Sequence, residues 1–214
     1  MIYLIADLHG DINHKGLCRY LEFYKEGDLL IILGDVYLNF ENTEENARFS
    51  EYFLALNKPI AIVDGNHENH PYLNTFPEEE WCGGRVNRLT PNIIRLQRGY
   101  IFEIEGKTFF AMGGCKSSDK WKERGLLYDG EEPSQEELSL AYKNLKAHGN
   151  RVDYVLTHKY KPDFKSDDLM TLEGLIKYID EQVDFSHWYA GHWHQDITYD
   201  EKHTVVYDVP IPLK

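Results

Sequence analysis

Residues 29–35 read LLIILGD, an apolar run that ends abruptly at Gly34 and Asp35. A run of about four to eight apolar residues bounded by turn residues is typical of a strand buried on both faces. The same form recurs in four other short stretches of the chain: residues 2–6, 60–63, 152–156 and 188–190. These runs predict five buried strands.

Amphipathic helices are predicted between these strands. Apolar residues recur at positions i, i+3, i+4 and i+7 within residues 17–24 and again within residues 172–179, which is the spacing of one helix face. Ser134 and Glu137 form a capping box, so a third helix is expected to begin there and to end near Gly149. Buried strands that alternate with such helices indicate an α/β sandwich with parallel strand pairs.

Antiparallel strands are predicted in addition to these parallel pairs. Residues 101–104 and 108–112 flank a Glu-Gly turn and read as a hairpin, and residues 204–209 read as a late strand. The predicted fold is therefore a system of mixed sheets flanked by helices.

The overall composition excludes several classes of protein. The 214 residues are 42% hydrophobic and 14% aromatic, which predicts one globular domain over residues 1–214 rather than a disordered chain. No apolar stretch approaches the roughly 18 residues of a spanning helix, so no membrane contact is expected. The net charge is −13, from 23 Lys and Arg against 36 Asp and Glu. This balance argues against a general nucleic-acid coat, because such proteins neutralise phosphates with Lys and Arg.

The number of cysteines indicates the redox environment of the protein. Cys18, Cys82 and Cys115 are an odd and sparse set, which predicts no disulfide framework and a reducing environment. The opening residues lack a basic start, and their apolar run breaks at Asp7, which argues against a secretory signal. We expect a cytoplasmic location.

Polar side chains with metal-binding chemistry follow all five predicted strands. The carboxyl ends of strands are where open α/β sheets bind ligands. In chain order these side chains are Asp7, His9, Asp35, Asn66, His67, His158, His192 and His194. Asp7 and His9 are two residues apart, as are His192 and His194. In extended chain each pair points to one side, with Cβ atoms roughly 6.5–7 Å apart, a separation suited to bracketing two metal centres.

This donor set predicts two divalent transition-metal ions. Carboxylate and amide oxygens together with four imidazoles, and no nearby thiolate, suit Mn²⁺, Fe²⁺, Zn²⁺ or Ni²⁺, of which we favour Mn²⁺. The set is too rich in nitrogen for a calcium site. A structural zinc site is also disfavoured, because such sites close with cysteines at short spacing.

The order of these residues carries a resemblance to a known family. Five motif blocks occur in sequence at the strand ends: Asp7-x-His9, Gly34-Asp35, Gly65-Asn66-His67-Glu68, His158 and Gly191-His192-x-His194. Together they resemble the calcineurin-like metallophosphoesterase superfamily, in particular its small bacterial and phage-type phosphoesterases. The resemblance implies two mixed β-sheets packed as a sandwich and flanked by helices, the metallo-dependent phosphatase fold.

The resemblance also implies a role for each residue. One ion would be held by Asp7, His9 and His194, and the second by Asn66, His158 and His192. The Asp35 carboxylate would bridge the two ions. His67 would protonate the leaving alkoxide or hold the phosphoryl oxygens while a hydroxide that bridges the ions attacks phosphorus in line. A helix cap after Asn66 is the alternative role for His67.

The expected activity is hydrolysis of a phosphomonoester or phosphodiester of a small molecule or nucleotide. Residues 34–39 read GDVYLN where the Ser/Thr protein phosphatases continue as GDxVDRG, so the arginine that grips phosphate there is missing. Two alternatives are an inactive metal-binding interaction scaffold and a nuclease acting on polynucleotide. The complete ligand set with His67 disfavours the scaffold, and the charge of −13 disfavours the nuclease.

Substrate contacts are expected from two places. Asn66 and His67 belong to the predicted site itself. Residues 116–124 read KSSDKWKER, a locally basic stretch within a candidate lid loop at 114–133. This stretch adds three candidate contacts: Lys116, Lys120 and Arg124. A solvated loop without a role in binding is the alternative.

Three further side chains lie close to the motifs in sequence. Asp64 is expected either to orient an imidazole from behind or to serve only as a turn residue. Glu68 is expected to lie outside the coordination sphere, next to the metal ligands. Cys115 has no nucleophile arrangement around it in the sequence, so we expect a small buried residue.

Overall fold

The computed structural model describes residues 1–118, 121, 123, 126–160 and 166–213. Its first sheet has seven strands, in the spatial order β13 (Ile211–Pro212), β1 (Ile2–Ile5), β2 (Leu29–Leu33), β3 (Ile60–Val63), β6 (Ile93–Leu96), β5 (Gly84–Arg88) and β4 (Glu78–Trp81). Strands β1, β2, β3 and β6 run parallel to one another, and the other strands pair antiparallel at the two edges.

The second sheet has six strands. Their spatial order is β11 (Ile197–Thr198), β12 (His203–Val205), β10 (His187–Ala190), β9 (Tyr154–Thr157), β8 (Lys107–Met112) and β7 (Tyr100–Ile104). Strands β8, β9, β10 and β12 are parallel, and β7 and β11 pair antiparallel at the edges. The predicted hairpin is thus present as β7 and β8.

Helices cover the outer faces of both sheets. They are α1 (Lys15–Phe23), α2 (Glu44–Leu54), the single turn α3 (His70–Leu73), α4 (Gln135–Ala147) and α5 (Leu172–Gln182). The capping box predicted at Ser134 and Glu137 is present at the start of α4. Within the described ranges, no helix combines the length and the apolar character needed to cross a membrane.

Three apolar layers hold these elements together. The middle layer fills the space between the sheets with side chains such as Leu33, Phe109 and Tyr189. A second layer packs α1 and α2 onto the first sheet, and a third packs α4 and α5 onto the second sheet. Both sheets are buried on two faces, which explains why their strands read as continuous apolar runs. The predicted α/β sandwich of two mixed sheets flanked by helices is confirmed.

Some boundaries differ from the prediction. Glu78–Trp81 forms an edge strand that was not predicted, and its glutamates are exposed to solvent while its backbone pairs with β5. Charged side chains on such an edge oppose pairing with another chain. The last predicted strand is shorter, since β12 ends at Val205. Periodicity did not reveal β4, β5 or β6, because these strands lack a continuous apolar run.

A candidate two-metal centre

Parallel strands of both sheets end at the same place in the molecule, and their following residues form two clusters. The first cluster consists of Asp7, His9, Asp35 and His194, and the second of Cys115, His158 and His192. Within each cluster the candidate ligand atoms lie within 4.8 Å of one another. Six of the predicted metal ligands belong to these two clusters, and the seventh, Asn66, contacts His158 of the second cluster. All seven therefore lie at this edge.

The first cluster has the donors and the geometry that a divalent cation needs. His9 Nε2 lies 2.8 Å from His194 Nε2, and Asp7 Oδ1 lies 3.9 and 3.8 Å from these two nitrogens. Asp7 Oδ1 is buried and has no hydrogen-bond partner among the described residues. Burial raises the pKa of Asp7 to about 7. A buried carboxylate oxygen without a partner, facing two ring nitrogens, fits a bound cation.

Asp35 belongs to the first cluster and also faces the second. Its Oδ2 is 3.7 Å from His9 Nε2, its Oδ1 is 3.4 Å from His158 Nε2, and Oδ1 also accepts a hydrogen bond from the His67 amide at 2.8 Å. Burial opposes the charge of Asp35, but the facing His158 holds the pKa of this carboxyl well below its usual range. One ionised carboxylate therefore faces both groups of ligands.

The second cluster is oriented from behind by two hydrogen bonds. His158 Nδ1 donates to the Leu33 carbonyl at 2.8 Å, so its Nε2 faces the cluster, 3.2 Å from His192 Nδ1. Asn66 Nδ2 donates to Ser117 Oγ at 2.8 Å, which turns Asn66 Oδ1 towards His158 Nε2 at 3.0 Å. Such outer contacts fix the direction of metal ligands.

The imidazoles differ in charge. Burial lowers the pKa of His9 to about 4 and that of His192 to about 3, so both are neutral near pH 7, the form that binds metals. Burial would also lower the pKa of His158, but the Asp35 carboxylate raises it to about 9. Of these three rings only that of His158 is thus positive near pH 7, because it faces the Asp35 carboxylate.

The backbone at these strand ends is left-handed rather than extended. Asp7, His9, Asp35, His192 and His194 have φ values of 57°, 46°, 55°, 75° and 50°. The expectation that each two-residue pair projects from extended chain is therefore wrong. Such conformations are uncommon for residues other than glycine and concentrate at functional sites. As a result, Asp7 and His9 face one cluster, whereas His192 and His194 face different ones.

Two glycines allow the strands to approach this closely. A Cβ atom on Gly34, whose φ is +94°, would lie 2.1 Å from His158 Nδ1, and one on Gly65 would lie 1.9 Å from Asp35 Oδ1. Any side chain at either position would displace a cluster residue. The glycines in the motif blocks are therefore required by the site itself.

The family model of the calcineurin-like phosphoesterases matches residues 1–196. The chain belongs to this family. Membership makes it a phosphoester hydrolase of a metal-dependent class and accounts for the two clusters of ligand-type side chains. No curated protein sequence matches the chain.

Two solved structures are similar to this phosphoesterase. Phosphopantetheinyl hydrolase from Mycobacterium tuberculosis is 17% identical, with a TM-score of 0.42, over 96% of this chain and 89% of that one. A protein of unknown function from Aquifex aeolicus is 17% identical, with a TM-score of 0.39, over 86% of this chain and 87% of that one.

His67 of the phosphoesterase lies against aromatic rings beside the clusters. Its ring centroid is 4.3 Å from that of Trp121, 5.6 Å from that of Phe40 and 5.8 Å from that of His9. Burial lowers its pKa. His67 does not cap a helix, because Asn69 is the residue that caps α3. The alternative of a capping role for His67 is therefore wrong.

Two buried acidic residues, Asp64 and Glu68, flank Asn66 in the sequence. The Glu68 carboxylate accepts hydrogen bonds from the amides of Val36 and Tyr37, at 2.9 and 3.3 Å, and so holds the turn that follows Asp35. The Asp64 carboxylate faces an imidazole, but it is that of His70, which belongs to neither cluster: Oδ2 lies 3.9 Å from His70 Nδ1. Asp64 is buried in ion pairs with Arg95 and Arg98, at shortest distances of 2.5 and 3.0 Å.

The candidate lid loop is described only in part. Lys120 and Arg124 lie outside the described residues, and Lys116 is exposed. Ser117 contacts Asn66, and the Tyr128 hydroxyl donates to the Phe40 carbonyl at 2.8 Å. The loop is thus joined to both sides of the His67 environment.

Sequence reasoning missed two contacts of the second cluster. Cys115 is buried, as expected, but its Sγ lies 3.1 Å from Asn66 Oδ1 and 3.7 Å from His192 Nδ1. The expectation that no cysteine sulfur lies near the ligands is therefore wrong. Lys159 is close enough to the Cys115 thiol to lower its pKa against the larger effect of burial. The only signal for either residue was its position: Cys115 follows β8, and Lys159 follows His158.

Proposed function

We propose that this protein hydrolyses a phosphomonoester or phosphodiester of a small molecule or nucleotide at a centre of two divalent metal ions. The position of Asp35 between the two clusters carries the proposal. Each ion takes three further residues: Asp7, His9 and His194 for one, and Asn66, His158 and His192 for the other. Asp35 is a ligand of both.

The reaction also needs side chains that are not metal ligands. When bound, two divalent ions lower the pKa of the attacking water and offset charge on the phosphoryl oxygens. His67 lies beside the first cluster, where its ring can give a proton to the leaving alkoxide or hold a phosphoryl oxygen. Glu68 holds the turn that follows Asp35, and Ser117 holds Asn66 in its orientation.

The surroundings of the clusters favour a compact substrate over a polynucleotide. A groove of about 240 Å³ beside His9 is lined by the carboxylates Asp11, Glu41 and Glu45, which would repel a long phosphate backbone. Aromatic rings around His67 offer faces for a base or another planar group. Both features support a nucleotide or small phosphoester rather than a nuclease substrate.

Cations of the loop are proposed to contact the substrate phosphate in place of the missing arginine. They are Lys116, Lys120 and Arg124. We propose that residues 114–133 act as a lid, supported by the contacts that Ser117 and Tyr128 make to either side of His67. The intact environment of His67 favours an active enzyme over a scaffold without activity, which has no need of a proton donor.

The ions are proposed to be drawn from Mn²⁺, Fe²⁺, Zn²⁺ and Ni²⁺, with Mn²⁺ favoured for the cluster that contains two carboxylates. A cytoplasmic location also stays a prediction, supported by three free cysteines.

A substrate panel tests the proposal. p-Nitrophenyl phosphate, bis-p-nitrophenyl phosphate, cyclic nucleotides and dinucleoside polyphosphates are incubated with protein that carries added Mn²⁺, Ni²⁺ or Zn²⁺. We expect metal-dependent cleavage of at least one ester and up to two bound ions per chain by elemental analysis. Asp35→Asn, purified in parallel, is the control. The proposal is wrong if the wild type cleaves no ester faster than this variant with any of the metals.

A further inference from the structure

Cys115 is placed where a metal ligand would be. Its Sγ is 3.1 Å from Asn66 Oδ1 and 3.7 Å from His192 Nδ1, and it lies within 4.8 Å of His158 Nε2. The residue is 1% exposed, and the adjoining Asn66 and His158 are 2% and 0% exposed. Four different donor atoms therefore converge on one point inside the protein.

The separations between these atoms are close to those of donors that share one metal ion. Donors bound to a single Zn²⁺ lie roughly 3.3–3.6 Å apart, because Zn–N bonds are ~2.0–2.1 Å and Zn–S bonds ~2.3 Å. In the second cluster the distances are 3.1 Å (S to O), 3.7 Å (S to N), 3.2 Å (N to N) and 3.0 Å (N to O), which lie just outside this range on either side. The sulfur fits this arrangement as well as the two imidazoles do.

We propose that Cys115 is itself a ligand of the second metal position, beside Asn66, His158 and His192, and that its sulfur makes this position select Zn²⁺ or another soft divalent ion over Mn²⁺. This inference rests on the two-metal centre proposed above. On binding, the S–H bond breaks, a sulfur–metal bond forms and the proton passes to solvent.

The two positions then differ in chemistry. The first cluster offers two carboxylates and two imidazoles, a set that suits Mn²⁺ or Fe²⁺. The second adds a thiolate to two imidazoles, the Asn66 amide oxygen and the shared Asp35 carboxylate, and thiolate ligands favour Zn²⁺. A centre with one harder and one softer position follows. The alternative for Cys115 is a thiol that only donates a hydrogen bond to Asn66 Oδ1.

Cobalt absorption distinguishes these two roles without measuring activity. Co²⁺ is titrated into wild type, Cys115→Ser and Cys18→Ser, the last being the same substitution at a free cysteine in α1. We expect a sulfur-to-cobalt charge-transfer band in the near ultraviolet for wild type and Cys18→Ser. In Cys115→Ser this band is lost, while the visible cobalt bands and the circular dichroism of the fold persist.

Metal competition gives a second readout. We expect Zn²⁺ affinity of the Cys115→Ser variant to fall by more than ~10-fold, the lower range seen when a contact behind a metal ligand is removed, with Mn²⁺ affinity unchanged. The inference is overturned if wild type binds no cobalt, binds it without the charge-transfer band, or keeps the band after Cys115→Ser. Phosphoester hydrolysis by a wild type that lacks the band would overturn only this inference, whereas the band without hydrolysis would overturn only the proposed function.

Discussion

Asp35 contacts both clusters, so its substitution perturbs both proposed metal positions at once. We expect Asp35→Asn to lose more activity than Asn66→Ala or Asp7→Asn, each of which alters one position. The loss should exceed the roughly 100-fold typical of removing a residue behind a metal ligand. Activity and metal content are measured on the same samples. An Asp35→Asn variant with most of its activity and full metal content would show that Asp35 bridges nothing.

His67 is proposed to act on the substrate and not on the ions. We expect His67→Gln to keep its bound metal and its fold but to lose activity by ~10²–10⁴-fold on an alkyl phosphate, because general acid catalysis contributes that much. The loss should be smaller for p-nitrophenyl phosphate, whose leaving group needs little protonation.

The comparison of the two substrates decides the role of His67. An equal loss on both would mean that His67 holds a phosphoryl oxygen. Loss of bound metal from the variant, measured by elemental analysis, would make His67 a ligand and contradict the assignment.

At the scale of elements, the turns after the strands control the site. Gly34 and Gly106 both have left-handed φ values, of +94° and +73°, but only at Gly34 would a Cβ meet a neighbour within 4 Å, namely His158. We expect Gly106→Ala to lose roughly 1–2 kcal/mol of stability, and Gly34→Ala to lose more because its Cβ would also displace His158. Only Gly34→Ala should also lose metal and activity. Equal activity in both variants would mean that the turn tolerates a displaced His158.

A histidine that joins two elements should make stability depend on pH. His203 in β12 lies 3.2 Å from Asp180 of α5 and 2.9 Å from Asp200. Burial opposes its charge, but these carboxylates raise its pKa above the usual 6.5. A raised folded-state pKa contributes stability below the unfolded pKa, and this contribution is lost as pH rises through the folded pKa.

We therefore expect His203→Gln to lower the Tm more at about pH 6 than at about pH 9. His148→Gln, at the exposed end of α4, is the control and should show no such difference. A loss in His203→Gln that is the same at both pH values would show that the ring acts only through packing on Tyr160, whose centroid is 4.5 Å away.

At the scale of the whole molecule, bound ions should hold the two sheets together, because the first cluster includes residues that follow strands of both. Binding to the native state alone stabilises it by ~2.7 kcal/mol at a ligand concentration of 100 Kd. For a chain of this length, that raises the Tm by roughly 5–10 °C. We expect a chelator to lower the Tm of wild type by this amount and to leave Asp35→Asn unchanged. If the chelator does not change the Tm of wild type, metal binding by the folded state is contradicted.

The sequence by itself determined the chemistry of the site and the class of the fold. Each buried strand is a local apolar run, and the residue that follows it must leave the sheet, so residues 29–35 alone place Asp35 at a strand end. The helix that begins after Ser134 was equally local, because a capping box lies within four consecutive residues. Strands β4 and β5 were not predicted, because neither contains an apolar run. They form by antiparallel pairing, β4 with β5 and β5 with β6.

Only the tertiary structure decided which of these side chains meet. Strand order brings β8 beside β9 and β9 beside β10, and so places Cys115 against His192, 77 residues later in the chain. Local sequence contains no information on this contact, because sheet order depends on how whole faces pack. The left-handed turns at Asp7 and His192 are decided in the same way. Their strain is offset by contacts between the two sheets, which exist only once the chain has folded.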